Sequence, residues 1–176
     1  MTPMDATRAW LEKAVIGLNL CPFAKAVHSR GQIRWVVCEA TEAVDLLGVL
    51  VQELKLLAAA DPAQIDTTLI IHPQVLQDFL DFNDFLGLAE DALAEMGLEG
   101  VLQIASFHPQ FQFADATTDD IGNATNRSPH PTLHLLREES IERAVQAFPD
   151  AGSIYERNIQ TLQRLGAEGW KRLLGG

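Results

Sequence analysis

Apolar positions recur along this chain with two periods, and their alternation outlines an α/β unit. Over residues 6–18, Trp10, Ala14 and Leu18 stand at helical spacing with Leu11 and Val15 beside them, which predicts an amphipathic helix. Asn19-Leu20-Cys21-Pro22 interrupts it. Pro22 suits the first position of a second, short helix, with Cys21 as its N-cap. Gln32 to Cys38, rich in Ile, Trp and Val, reads as the first strand. Thr41 opens a helix whose apolar face is Val44, Leu47, Val51, Leu54 and Ala58, ended before Asp61-Pro62.

The second strand is expected from about Asp66 to Ile71. After it, Val75, Phe79, Phe82, Leu86, Ala89, Leu93 and Met96 form one long apolar seam, with a kink expected at Gly87. That spacing is what a buried helix face requires. Phe79, Phe82 and Phe85 are therefore read as core or dimer packing rather than as a cofactor-stacking set. Val101 to Phe107 is the third strand. Residues 108–131 show no sustained period and read as a long functional loop that packs through Phe111 and Phe113. Thr132 to Leu136 is a fourth, short strand, followed by a helix from Glu138 to Phe148. Ser153-Ile154-Tyr155-Glu156 fits a capping box opening a last helix that Gly166 stops, with Trp170 docking the end loosely. The expectation is one α/β domain over residues 1–176, with a small, mainly parallel sheet of about four strands and helices packed on it.

Composition narrows the function classes. The formal net charge of −11 argues against nucleic acid as a partner, because that binding rests on Lys and Arg neutralising phosphates. No run approaches the roughly 20 apolar residues of a membrane span, and the start lacks the basic and apolar parts of a secretory signal. Two cysteines, Cys21 and Cys38, give no disulfide framework, so a reducing cytoplasm is expected. From Leu56 to Asn126 there are 12 Asp and Glu and no Lys or Arg, and positive charge first returns at Arg127.

The tripeptide His-Pro-Gln occurs twice, at residues 72–74 and 108–110, each time directly after a strand. Strands joined by helical crossovers run parallel, which brings His72 and His108 to one carboxyl edge, where open α/β sheets bind ligands. Imidazole titrates near neutrality, so His108, with His72 second, is the candidate proton carrier. The competing reading has each ring capping a strand end on a loop carbonyl. Arg127 and Arg137 offer planar forks to carboxylate or phosphate, with Asn126 and Ser128 as orienting groups; the alternative ties Arg127 to Asp119 or Asp120. Cys21 at a helix N-terminus is a candidate nucleophile. His72, His108, His134 and Cys21 are N and S donors of the types zinc or iron takes, but no compact ligand signature supports a metal.

The strings Leu20-Cys21-Pro22-Phe23-Ala24, Phe107-His108-Pro109-Gln110-Phe111-Gln112-Phe113, Thr125-Asn126-Arg127-Ser128-Pro129-His130-Pro131-Thr132-Leu133-His134-Leu135-Leu136-Arg137-Glu138 and Glu156-Arg157-Asn158-Ile159 resemble a bacterial domain-of-unknown-function family, the 1415 family. The resemblance covers nearly the whole chain and implies no activity or cofactor. The residues themselves suggest an enzyme acting on a small phosphorylated or carboxylated metabolite, with His108, His72 and Cys21 as catalytic groups and Asn126, Arg127, Ser128, His134 and Arg137 binding the ligand. The alternative is a non-catalytic binding or assembly protein, a homodimer joined through the Val75–Met96 seam, or a metal-binding protein using the His and Cys ligands.

Overall fold

The computed structural model describes residues 1–148 and 150–175. In chain order the elements are α1 (Pro3–Trp10), a π-helical turn (Leu11–Ile16), α2 (Ala24–Ser29), β1 (Ile33–Val37), α3 (Ala43–Ala59) and β2 (Thr67–Ile71). These are followed by α4 (Phe79–Glu95), β3 (Leu102–Phe107), a 3-10 segment (Ile121–Asn126), β4 (Thr132–Arg137), α5 (Glu138–Ala147) and α6 (Ile154–Gly175).

The sheet order is β1-β2-β4-β3. β1 and β2 pair in parallel, whereas β4 runs antiparallel to both β2 and β3. The expected mainly parallel sheet is therefore mixed, and the connection between β3 and β4 explains why. It contains no crossover helix; the loop leaves and re-enters at the same edge, so β4 must run back down the sheet. β1, β2 and β3 still point the same way, and their carboxyl ends share an edge.

One sheet face packs on α3 and α4. Leu46, Leu50, Leu54 and Leu57 of α3 and Phe82, Phe85, Ala89 and Leu93 of α4 enclose Ile70, Leu102, Leu133 and Leu135. Each such large apolar side chain contributes about 1.5–3 kcal/mol on burial. Two expectations change here. The buried face of α3 is offset from the one read from the sequence, since Val44 is 73% exposed and Leu46 fully buried. The α4 seam lies inside this core, which removes it as a dimer interface, and the helix runs through Gly87 without a break.

The other face is covered by Trp10, Leu11, Ala14 and Val15 of the N-terminal helix, joined by Trp170, Leu173 and Leu174 of α6. α1 passes into the π turn, where the Gly17 N–H bonds the Glu12 carbonyl five residues back at 3.0 Å. A Cβ at Gly17 would stand 2.1 Å from the Lys13 carbonyl oxygen, so only glycine closes this turn. α2 begins at Ala24, two residues later than expected, with Phe23 rather than Cys21 at its cap. α6 bends at Gly166 (φ 72°), and its docked end packs the partly buried Trp170 against the Trp10 cluster. The expected capping box does not form, because the Ser153 hydroxyl donates to the Asp150 carbonyl instead.

Candidate functional site

Strand direction alone brings the two His-Pro-Gln segments together. Ile71 and Phe107 both pair with Thr132, so His72 and His108 flank the start of β4. The His72 N–H bonds the Pro131 carbonyl and the His108 N–H bonds the Asn126 carbonyl. Both rings lie against Phe82, with centroids 5.6 and 5.0 Å away, and Phe79 bridges His108 to Phe111. Both histidines are fully buried.

Their ring nitrogens are largely committed to backbone. His72 Nδ1 donates to the Val75 carbonyl at 3.0 Å. His108 Nε2 donates to the Leu76 carbonyl at 3.0 Å, and its Nδ1 accepts the Gln110 N–H. The two rings thus grip neighbouring carbonyls of one turn, in which Leu76 sits at φ 61°. A leucine in the left-handed region persists only where its surroundings over-determine it, and these two bonds do so. His72 Nε2, the acceptor in this tautomer, has no partner among the described residues. Burial lowers the pKa of both rings, that of His72 to about 4. The Val75 carbonyl opposes that shift and the nearby His108 adds to it. For His108, the Leu76 carbonyl and Asp78 oppose the effect of burial. Both rings are neutral at pH 7.

The loop after β3 is ordered by its own polar groups. Asn123 accepts the Phe113 N–H and donates to the Thr117 carbonyl, and the 3-10 segment packs on α6. Arg127 reaches back with Nε to the Phe111 carbonyl and Nη2 to the Thr118 carbonyl, both at 3.0 Å. Burial lowers its pKa and Asp119 opposes that. Asn126 donates to the Ser106 carbonyl, and the Ser128 hydroxyl donates to the His130 carbonyl. The loop therefore folds over the His108 strand end as a network tied to itself.

The remaining predicted residues lie elsewhere. His134 is on the other sheet face beside Phe107, bonded through Nε2 to Thr67, and burial lowers its pKa to about 4. Arg137 lies at the far end of β4, five residues or about 17 Å from Thr132. There it donates to the Ala60 and Ile65 carbonyls near Asp66. Cys21 is half-buried against the Trp10 cluster, and the six-residue α2 that follows it lacks the cap assumed for it. Among the described residues no three His, Cys, Asp or Glu side chains converge to hold an ion, so the four proposed metal donors do not assemble.

A second place gathers polar side chains. Where the turn after the π segment meets α6, a cleft of about 280 Å³ opens between Leu18, Asn19 and Pro22 on one wall and Arg157, Asn158, Thr161 and Arg164 on the other. Leu18 of its lining also packs on the small core of Leu20, Ala124 and Leu162. The Asn158 amide donates to the Leu20 carbonyl at 2.8 Å and locks the walls together. Asn19 takes φ 55° to make the turn, a conformation that Asn tolerates better than most residues.

A family model described as a protein of unknown function, DUF1415, matches residues 2–172. The chain belongs to that family. Comparison with curated proteins and with solved structures gives no match. Two of the strings that suggested the DUF1415 resemblance, around Leu20 and around Asn158, meet through the hydrogen bond just described. Sequence reasoning passed over Asn19, Thr161 and Arg164 of this DUF1415 chain. The signal was present: Arg157, Thr161 and Arg164 recur at steps of four and three, one face of a helix.

Proposed function

We propose that this protein binds a small anionic molecule and that its histidines shape the fold rather than transfer protons. The observation that carries this reading is the commitment of both His108 ring nitrogens, with His72 Nδ1, to the backbone of the same buried region. A general base must reach the proton it takes, directly or through one water. A fully buried ring bonded at both nitrogens does not. The enzyme reading of His108 and His72 is for that reason the weaker one.

The anionic character of the ligand is supported by charge placement. Arg127, Arg137 and Arg34 are spent on carbonyls or on Glu53. Arg157 and Arg164 are exposed and meet no carboxylate within salt-bridge distance among the described residues. In a chain of net charge −11, a local cationic spot would focus anions that the rest of the surface repels.

The reading is tested by following the melting temperature of wild type and His108→Asn in rising inorganic phosphate, succinate and glycerol 3-phosphate. His108→Asn is expected to melt earlier yet gain as much from the anion as wild type. A variant that melts like wild type but no longer responds would put His108 in the ligand site and overturn the assignment.

A further inference from the structure

Resting on the reading of a small-anion-binding protein, we infer that the ligand site is the cleft between the Asn19–Pro22 turn and the first half of α6. Its ligand would be a small organic carboxylate or phosphate monoester whose body is part apolar. Arg157 and Arg164 supply the charge. They stand seven residues, about two helical turns, apart on one face of α6, with Thr161 between them. The Arg157 guanidinium lies over the Phe148 ring, 5.3 Å from its centroid, which limits its freedom without consuming its N–H donors. Arg164 lines the same cleft about two helical turns further along α6, so a ligand there has two guanidinium groups within its walls to supply charge-assisted donors.

The rest of the lining sets the ligand class. Leu18, Pro22 and Ile154 offer apolar surface, while Asn19 and Thr161 offer hydrogen bonds to hydroxyl or amide groups. A bare inorganic ion would leave the apolar wall unused. The volume, about 280 Å³, lies just below the roughly 300–1,000 Å³ typical of small-molecule sites, which suits a metabolite and is too small for a dinucleotide. The walls are also preorganised. The Asn158 bond to the Leu20 carbonyl, and the packing of Leu162 with Leu20 and Leu18, hold turn and helix together before any ligand arrives, so little ordering entropy is lost on binding.

Calorimetric titration with glycerol 3-phosphate and with succinate, run on wild type, Arg164→Ala and Arg127→Ala, tests the assignment. Arg164 is exposed and makes no salt bridge among the described residues, so its truncation is expected to leave the unliganded melting temperature unchanged. Loss of a charge-assisted bond should weaken the affinity by about tenfold to a hundredfold. Arg127→Ala should bind as wild type does. If wild type binds a probe and Arg164→Ala binds it equally well, the cleft is overturned while the anion-binding reading stands. If wild type binds neither probe at about 10 mM, a concentration at which even millimolar sites fill, both fall together. Should Arg164→Ala misfold, amide shifts in wild type on adding the probe decide. Shifts confined to the Asn19–Pro22 turn and residues 154–164 support the site, and shifts centred on 108–131 refute it.

Discussion

Lowering the pH from 7.5 to 5 should destabilise this protein through His72, and the size of the effect follows from the ring's surroundings. His72 is fully buried, and burial lowers its pKa from 6.5 in the unfolded chain to about 4. Well above pH 6.5 the ring is neutral in both states and contributes nothing to the pH dependence. As the pH falls between 6.5 and 4 the unfolded chain takes up a proton that the folded chain refuses, so stability is lost across that window. At pH 5 the penalty from His72 alone is about 2 kcal/mol, and it approaches about 3 kcal/mol once the pH is below both values. His134 is lowered to about 4 by the same cause, and burial also lowers His108 and His130, so all four act in one direction.

His72→Asn separates its share from theirs. The Asn amide nitrogen sits near the position of Nδ1 and can keep the donor to the Val75 carbonyl while removing the titration. Urea unfolding in steps from pH 7.5 to 5 avoids most carboxylate titration and gives the unfolding free energy at each point. The variant is expected to start less stable, because the smaller side chain leaves space beside Phe82, but to lose about 2 kcal/mol less over the range. Parallel curves for wild type and variant would refute the reasoning. His72 would then titrate normally, and its ring would not be sealed in the core.

Two structural readings carry simpler tests. Arg127→Ala removes both ties to the Phe111 and Thr118 carbonyls, so it should lower stability by about 2 kcal/mol and expose residues 111–127 to limited proteolysis; a variant as stable as wild type would free Arg127 for a ligand role. Gly17→Ala drives a Cβ to 2.1 Å from the Lys13 carbonyl oxygen, which should cost about 3 kcal/mol and lower the melting temperature by about 10 °C; an unchanged melting point would mean the turn is an ordinary α-helix.

The strands were readable within a residue or two, because Gln32 to Cys38 and Val101 to Phe107 are short runs carrying the β-branched and aromatic residues that suit a pleated, half-buried surface. The shared carboxyl edge followed from strand direction. The place of β4 did not, although the absence of any helical period between Phe107 and Thr132 already implied a return in the opposite direction. The face of α3 was misread because ten of the fourteen positions from Val44 to Leu57 are apolar or glycine, and so wide an apolar stripe does not declare its buried side. Cys21 was misplaced for a local reason. Pro22 can begin a helix, but the chain uses it in the preceding turn and starts α2 at Ala24.

The least readable feature was the purpose of the repeated His-Pro-Gln. Identical tripeptides put to parallel use would present the same nitrogen to the same kind of partner, and these do not. His72 holds the Val75 carbonyl through Nδ1, a contact made three residues away, whereas His108 reaches the adjacent Leu76 carbonyl through Nε2 across 32 residues of sequence. The two rings thus serve one turn from two strands, bonding the carbonyls on either side of Leu76, which sits at φ 61°. Burial keeps both rings neutral, and the Gln110 N–H donated to His108 Nδ1 fixes the tautomer of that ring. A catalytic pair would need the opposite: a pKa near the working pH and a nitrogen open to substrate. The buried rings of His72 and His108, each with an N–H spent on this turn, sit far from both conditions. On the small-anion reading we propose, Arg157 and Arg164 of α6, rather than the histidines that first draw the eye, are the groups that meet the ligand.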